Sequence, residues 1–515
     1  MSQLPSLPEL PENSGLTTSA PGAAEMPTRR SMLKGGLTAA GVALGMAGAA
    51  QAQQTNEIVI RNGTIVNSTG RQDADLRIRN GLVAEIGKNL TPGAGAQVFD
   101  AKGKFILPGG IDPHIHLTPI RTPTTMKGAD DYTSISLAAL AGGKTTVSNF
   151  INQDPDMSVA ATLTEAADVV AKQAIADVIL HYTVSDPTKF TPADVKMLYD
   201  RQFTLKIFLV RPAFDEHGIA NVQLIAEAGK AGLLTMLHCE DSAILGERHA
   251  KMLAEGRGRL VGQNFAEAGP VAAEESATMR AVCISETTGS PVYIVHMSSE
   301  RAMRVAEAAR ARGVPVHTEV RFIYLHLNNE RFNQPDGPIY TGAPPLRTKV
   351  DQDYLWKALA TGSVDVVDTD HVGYTRAEKM DPENTIVKSR NAANYVQDQM
   401  PLLYSEGVRK GRITLEKMAA VSCANPAKLF GLYPKKGLIA VGSDADVAIW
   451  DPNLTKKIKD EDILSNGHFS IFSGWELTGW PITTIRRGEV VWNNGKITAK
   501  AGSGQLAPRK RFQKV

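Results

Sequence analysis

The sequence has little cysteine, few aromatic residues and almost no net charge. Its three cysteines, Cys239, Cys283 and Cys423, are too few and too scattered for a disulfide framework or a cysteine-rich zinc site. Cys239 lies in an apolar run, which favours a small buried side chain. Aromatic residues make up 6% and the formal charge is +2 over 515 residues, so no nucleic-acid partner is indicated. Apolar (43%) and charged (21%) contents are typical of globular proteins, and the length allows two or three domains.

A strong apolar run near the N-terminus is also lacking. The segment Gly35–Ala50 is short and rich in Gly and Ala, so it predicts no membrane span. It follows Arg29-Arg30 and leads to Ala50-Gln51-Ala52, which fits a small-residue cleavage site. The pattern resembles a twin-arginine export signal, and a chance arginine pair in a flexible leader is the alternative. We expect residues 1–52 to be a disordered leader and signal peptide that the twin-arginine machinery exports, which predicts a periplasmic or exported protein.

Both ends of the remaining chain resemble β-strands. Two early segments each close on Asn-Gly, a strong hairpin signal, and a later Asn493-Asn494-Gly495 supplies another turn. The strand-like segments are Glu57–Gly63, Asp75–Gly81, Asp444–Asp451 and Ile485–Trp492. We therefore predict one small β-sandwich built from residues 53–106 and 431–496. The basic tail 497–515 (Arg509, Lys510, Arg511, Lys514) is interpreted as a solvated tail or a subunit contact.

The middle of the chain alternates apolar runs with amphipathic stretches such as Ala160–Ala176 and Arg301–Ala311. The predicted strands are Phe105–Ile111, Thr145–Phe150, Val178–Val184, Thr204–Val210, Leu233–His238, Val292–His296, Val314–Val320 and Val364–Val367. This alternation predicts an α/β fold, a TIM-like (β/α)8 barrel over residues 107–430. A doubly wound open sheet is the rival, weakened because no G-x-G-x-x-G follows any of these strands.

Metal-binding residue types stand in or just after the predicted strands, and barrel enzymes carry their catalytic groups at the strand ends. They are His114, His116, Lys206, His238, His296 and Asp370. His114 and His116 are two apart in an extended segment, so they can hold one cation together. Each residue alone is a weak signal, but the ordered set favours a metal centre.

Lys206 is the most informative member of this set. Leu205, Ile207 and Phe208 flank it, and burying an ammonium group among them costs several kcal/mol. One interpretation is that Lys206 reaches solvent or pairs with a carboxylate. The other is that CO₂ carboxylates its amine to N6-carboxylysine, an anionic ligand able to bridge two metal ions.

The ordered set resembles the amidohydrolase superfamily, and within it the hydantoinase/dihydropyrimidinase branch. The resemblance covers nearly all of the chain after the leader. The motifs that carry it are Leu107–His116, Ala141–Thr146, Ala343–Arg347, Thr369-Asp370-His371 and Gly437–Asp446. It implies a hydrolase that opens a cyclic amide, imide or ureide, a small-molecule substrate, and a homotetramer.

The resemblance also implies a role for each ligand. His114, His116 and Asp370 would bind the more buried of two divalent metal ions, zinc by default, and His238 and His296 the second. Carboxylated Lys206 and a hydroxide would bridge the pair. Asp370 would take the proton from the attacking hydroxide and pass it to the leaving nitrogen.

Three residues depart from the branch in segments that contact substrate. Arg211 stands where the branch has a tyrosine that donates to the oxyanion. It either replaces that donor or binds a substrate anion, and the alternative is that Arg211 points to solvent while another group donates. Arg321 is a second charged residue that the branch does not have at this position, and we expect it near the mouth of the site. Asn391 is kept, but Ala392 replaces the glycine that follows it. We therefore expect a substrate with an additional anionic or polar group; allantoinase or another amide or carbamate hydrolase, and a non-catalytic binding protein, are the alternatives.

Overall fold

The computed structural model of this protein describes residues 57–117 and 128–515. The leader 1–52, with its Arg29-Arg30 pair, lies outside the described residues, so its export stays a prediction. Within the described ranges, no helix combines the length and the apolar character needed to cross a bilayer.

The strands of the described residues are β1 Glu57–Asn67, β2 Gly70–Arg79, β3 Leu82–Gly87, β4 Gln97–Asp100, β5 Phe105–Pro108, β6 Gly110–Ile111, β7 Ile115–His116, β8 Lys144–Asn152, β9 Asp177–Thr183, β10 Thr204–Phe208, β11 Thr235–His238, β12 Val292–Ile294, β13 Val316–Arg321, β14 Val366–Asp368, β15 His371–Val372, β16 Val447–Lys457, β17 Glu476–Arg486, β18 Glu489–Asn493 and β19 Lys496–Ile497.

The α-helices of the same residues are α1 Tyr132–Ala141, α2 Val159–Gln173, α3 Pro192–Asp200, α4 Pro212–Glu216, α5 Gly218–Ala231, α6 Ser242–Ala254, α7 Asn264–Ala268, α8 Val271–Thr288, α9 Glu300–Ala311, α10 Ile323–His326, α11 Lys349–Thr361, α12 Arg376–Lys379, α13 Gln399–Leu402, α14 Leu415–Ala419 and α15 Asn425–Leu429. Two π-helical turns, Leu403–Val408 and Ala420–Ala424, continue α13 and α14.

The small β-domain joins the two ends of the described chain in one curled sheet. Its strand order is β19-β18-β17-β16-β5-β1-β2-β3, and β4 pairs with β1. The antiparallel pair β5 and β16 is the seam between the early and late halves. Alternating side chains from both halves, such as Ile60, Leu76, Ile106, Val447 and Ile485, enclose a separate core. This is the predicted sandwich domain.

Parallel strands form the barrel in the order β14-β13-β12-β11-β10-β9-β8-β6. All seven residues of β9 are buried, because helices cover the outer face of the sheet and the barrel interior covers the other. The short strands β7 and β15 pair in parallel just beyond β6 and β14, which brings the first and last strands of the ring together. The (β/α)8 barrel is therefore confirmed.

The predicted first barrel strand, Phe105–Ile111, is wrong as a single element. It divides at Gly109 into β5 of the sandwich and β6 of the barrel. The Gly109 amide donates to the carbonyl of Asp446 at 2.8 Å, and a Cβ at Gly109 would collide with Thr145. Only a glycine lets the chain pass this closely between the two domains.

Two turn predictions also need correction. Asn62-Gly63 ends no strand; Asn62 has φ 61° and sits in a bulge inside β1. The segment Ile485–Trp492 is a hairpin rather than one strand, because Arg487 and Gly488 take φ of 45° and 74°. The turns at Asn80-Gly81 and Asn494-Gly495 are confirmed.

The C-terminal tail is not a solvated extension. The Ala507 amide donates to the carbonyl of Val178 at 2.8 Å, at the start of β9. The buried Arg509 guanidinium donates to the carbonyl of Leu180 at 2.8 Å. Because these contacts lie toward the N-terminal ends of the barrel strands, the tail covers the face opposite the predicted site.

Candidate metal centre

The predicted ligands lie where barrel strands end. His114 lies between β6 and β7, His116 in β7, and Asp370 between β14 and β15. The register of β7 and β15 places Val372 opposite His116, which brings Asp370 beside the two histidines. Asp370 has φ 48°, a left-handed conformation that costs energy in a non-glycine residue. Such strain is characteristic of functional sites.

His114, His116 and Asp370 form the first donor cluster. The Nε2 atoms of His114 and His116 lie 3.3 and 3.2 Å from the same carboxylate oxygen, Asp370 Oδ1. One ligand atom from each residue falls within 4.8 Å of the others. Two imidazoles and a carboxylate oxygen at this separation match the donor chemistry of a divalent transition metal.

His238 and His296 form the second donor pair. His238 ends β11, and His296 follows β12 with φ 40°. His238 Nδ1 and His296 Nε2 lie 2.9 Å apart, with the rings inclined at 73°. His296 also lies near His114, since their ring centroids are 5.5 Å apart. The two donor groups therefore lie next to each other at the carboxyl ends of the strands.

Two buried carboxylates orient these imidazoles. Glu319 Oε1 accepts from His114 Nδ1 at 2.7 Å and from the His296 amide at 2.8 Å. Glu240 Oε2 accepts from His238 Nε2 at 2.8 Å. With these partners, His114 Nε2 faces Asp370 and His238 Nδ1 faces His296, so these two nitrogens point into the donor groups. The sequence analysis missed both residues, although an acidic residue within a buried strand and another two after a strand-end histidine are usable signals.

Lys206 lies in the middle of β10 and is fully buried. Its Nζ has no hydrogen-bond partner among the described residues and lies 5.1 and 5.0 Å from the Phe150 and Phe208 ring centroids. Burial lowers the pKa of Lys206 to about 8, although Glu319 and Asp370 act in the opposite direction. At pH 7 roughly a tenth of the amine is therefore neutral, the form that reacts with CO₂.

Burial also sets the protonation of the ligands. It lowers the pKa of His116 to about 4 and holds that of His296 well below its ordinary value. Burial would raise the pKa of Asp370, but His114 and Arg321 outweigh it and hold this pKa well below its usual range. Neutral imidazoles and an ionised carboxylate are the forms that bind metal.

Arg321, the last residue of β13, is fully buried rather than placed at the open mouth. Its Nη1 donates to Asp370 Oδ2 at 2.8 Å, the oxygen that the two histidines leave free. The guanidinium also lies 4.9 Å from the Tyr324 ring centroid. Arg321 therefore contacts a predicted ligand directly, while its expected contact with substrate stays a prediction.

Arg211 and Asn391 line a cavity of about 350 Å³ that opens beside His238. Arg211 precedes α4, and Asn391 lies in the loop after α12. The Asn391 side-chain oxygen accepts from Ser389 Oγ at 3.0 Å. Ala392 keeps φ 72°, so the left-handed backbone suited to glycine is present without the glycine. Substrate contacts by Arg211 and Asn391 stay predictions.

The donor set fits a centre for divalent metal. Five histidine and aspartate side chains converge in two groups, and the buried Lys206 Nζ lacks a partner among the described residues. A carboxylated Lys206 would supply the anionic oxygens that the second histidine pair lacks. A barrel with imidazole and carboxylate donors at its strand ends defines a metal-dependent barrel hydrolase.

Similarity to known proteins identifies the family of this chain. Residues 105–491 match the Amidohydrolase family. A D-hydantoinase from Rhizobium radiobacter is 32% identical over 462 residues, 89% of this chain and 100% of that protein. A D-hydantoinase from Geobacillus stearothermophilus is 33% identical, across 88% of this chain and 97% of that protein. The crystal structure of dihydropyrimidinase from Brevibacillus agri NCHU1002 has a TM-score of 0.84 at 32% identity, covering 89% of this chain and 100% of that one. The chain therefore belongs to the metal-dependent amidohydrolase family, in its hydantoinase branch.

Proposed function

We propose that this protein hydrolyses a ring C–N bond in cyclic amides, imides or ureides such as hydantoins and dihydropyrimidines. The observation that carries the proposal is the convergence of His114, His116 and Asp370 on one point, with His238 and His296 converging beside it. The names of the relatives support the substrate class. Lys206, buried between the aromatic rings, is the group whose carboxylation would complete the centre.

Two divalent ions would be held by this set. His114, His116 and Asp370 would bind one, His238 and His296 the other, and carboxylated Lys206 both. Zinc suits these donors, and manganese, cobalt or iron are the other candidates. When bound, two such ions acidify a water and polarise the carbonyl to be attacked.

The chain's own proton carrier is Asp370. Its carboxylate accepts the proton of the attacking water and gives it to the ring nitrogen as the C–N bond breaks, since an amide anion is a poor leaving group. Glu319 and Glu240 keep His114 and His238 in fixed orientations during this transfer. Arg211 and Asn391 stand at the cavity where the rest of the substrate would lie.

The test is a substrate panel with zinc-loaded protein. Hydantoin, dihydrouracil and allantoin should be compared with an acyclic amide and a carbamate, with product measured by chromatography. We expect opening of hydantoin or dihydrouracil, and loss of at least a thousandfold in kcat for Asp370→Asn. Turnover restricted to allantoin would narrow the proposed class to one ureido-substituted hydantoin, and turnover restricted to acyclic substrates would replace the class. Tight binding of a cyclic amide without any turnover would favour a binding protein.

We also propose export by the twin-arginine route. The support is sequence alone: Arg29-Arg30, the weak apolar segment Gly35–Ala50 and the small residues at Ala50 and Ala52. The full chain and its Arg29→Lys/Arg30→Lys variant should be expressed and the cells fractionated. Equal periplasmic amounts of the two proteins would contradict this route.

A homotetramer is the assembly we propose, by resemblance to the hydantoinase branch. Light scattering coupled to size-exclusion chromatography gives the mass directly. A monomeric mass at micromolar concentration would contradict it.

A further inference from the structure

The cavity beside His238 has a mixed lining. Its walls are largely apolar, with Phe208, Leu245, Phe265 and Ile386 among them. Of these, Leu245, Phe265 and Ile386 are buried, so they form the inner part of the cavity. At about 350 Å³ the cavity can hold a ring substituent several atoms long. An apolar arm would therefore bury its surface here.

Arg211 supplies an uncompensated positive charge to this cavity. Its guanidinium carbon lies 4.3 Å from the Phe208 ring centroid, and the same ring lies 5.0 Å from Lys206 Nζ. Arg211 and Lys206 therefore both contact the Phe208 ring. Although the side chain reaches solvent, the surrounding protein lowers its pKa, and no carboxylate of the described residues pairs with it.

The other ionisable groups of the cavity do not neutralise Arg211. Glu240 is 2% exposed, and its Oε2 is engaged by His238. Burial lowers the pKa of His249 below its ordinary value, which disfavours a second cation here. Ser389 and Asn391 contribute only neutral polar groups. Arg211 is the one lysine or arginine side chain that lines this cavity, among the described residues.

We propose that this cavity is a subsite for a substrate carboxylate, carried on a short apolar arm of the ring and bound by Arg211. The inference rests on the proposed function, because it assumes that the ring itself lies at the metal centre. A guanidinium donates two parallel hydrogen bonds to a carboxylate, which a neutral amide cannot accept in the same way. The arm would pack on the Phe208 and Phe265 side of the cavity while its charged end meets Arg211.

This role differs measurably from an oxyanion role for Arg211. A donor to the developing oxyanion acts on the reacting carbonyl, so its loss lowers kcat for acidic and neutral substrates alike. A carboxylate partner acts on the arm, so its loss raises KM selectively for the acid. The two roles therefore predict different splits between kcat and KM.

The experiment compares hydantoin-5-propionic acid with its propionamide, which has the same size without the charge. The ratio of kcat/KM for acid over amide is measured for the zinc-loaded wild type, Arg211→Met, Arg211→Lys and a control, Arg312→Met, at an exposed ion pair. We expect a wild-type ratio of at least 10, a fall of at least tenfold in Arg211→Met, a smaller fall in Arg211→Lys, and no change in the control. A salt-sensitive KM for the acid alone is expected as well.

An unchanged ratio in Arg211→Met would overturn the subsite, as would an equal loss of kcat on both substrates. Calorimetric titration of the same two compounds separates this inference from the proposed function. Arg211-dependent binding of the acid without turnover of any cyclic amide would sustain the subsite and refute the hydrolase. Turnover of hydantoins with no preference for the acid would support the hydrolase and refute the carboxylate subsite.

Discussion

Asp370 divides its two carboxylate oxygens between different partners. Oδ1 faces His114 and His116, while Oδ2 accepts from the buried Arg321. A guanidinium on Oδ2 fixes the carboxylate plane and leaves one oxygen directed at the histidines. Arg321 was expected near the substrate. Every residue of β13 is buried, so the strand has no alternation of polar and apolar residues that would show which side chains point inward.

Removal of Arg321 should therefore damage both stability and catalysis. Arg321→Met leaves a buried carboxylate without its cation, which costs roughly 3–5 kcal/mol in the metal-free protein. We expect a fall in the urea midpoint and at least a tenfold loss of kcat. Arg280→Met, at an exposed pair with Asp215, should cost no more than about 1 kcal/mol. Equal effects of the two variants would contradict a special role for Arg321.

Ala392 carries strain that a glycine would relieve. Its φ of 72° is left-handed, which costs an alanine roughly 1 kcal/mol relative to glycine. Ala392→Gly should raise the free energy of unfolding by about that amount, measured in urea. Ala393→Gly, at a neighbouring buried position without positive φ, should lower it. Destabilisation by Ala392→Gly would show that the alanine methyl group packs more favourably than the strain costs.

The loop that carries Asn391 is tied down by a buried ammonium group. Four oxygens lie within hydrogen-bond distance of Lys379 Nζ and share its three N–H donors: the carbonyls of Thr341, Arg390 and Ala392 and the Thr341 hydroxyl. These partners are neutral oxygens from two segments that border the cavity beside His238. This arrangement joins the Asn391 loop to the segment before Ala343, which also lines the cavity.

Loss of this tie should loosen the loop. Lys379→Met keeps the side-chain volume but leaves buried carbonyls without donors, at a cost of roughly 1–3 kcal/mol each where water cannot replace them. We expect faster hydrogen exchange over residues 389–394 and a larger change in KM than in kcat. Lys388→Met, in the exposed part of the same loop, is the control. Unchanged hydrogen exchange over residues 389–394 in Lys379→Met would show that Lys379 does not hold this loop in place.

At the scale of elements, the sequence predicts the barrel well because its strands are buried on both faces and appear as apolar runs. The sequence predicts strand boundaries less well where the two domains meet. Phe105–Ile111 is one continuous apolar run, yet the chain passes from one sheet to the other at Gly109. The grouping of His114, His116, Asp370, His238 and His296 was predictable because these residues end or follow barrel strands in chain order; their binding of metal stays a prediction. Glu319 was harder to predict, because its role depends on contacts with His114 and His296 on other strands. Glu240 stands two residues after His238, and that spacing is a local signal that could have been used.

Two histidines of the site, the half-buried His116 and the buried His296, make the stability of the protein depend on pH. The folded-state pKa of His116 is about 4, below its ordinary 6.5, because burial disfavours the charged form. His296 is shifted in the same direction. The unfolded chain therefore binds more protons between pH 6.5 and 4, so stability is complete above about pH 6.5 and is lost as pH falls toward 4.

The metal-free protein should show this loss in urea titrations. We expect its midpoint to decline steadily from pH 7 to pH 4, and His116→Asn to flatten part of the decline. A midpoint that stays constant over this range would mean that the imidazoles are protonated equally in both states.

The central claim is a centre of two divalent ions that depends on carboxylated Lys206. The most direct measurement is the metal content per chain, by plasma mass spectrometry, of protein purified without chelator and loaded with zinc and bicarbonate. We predict two ions per chain in the wild type and at most one in Lys206→Ala, with acetate restoring part of the lost metal and activity. Full occupancy and activity in Lys206→Ala, or no bound divalent metal in an active wild type, would contradict the account.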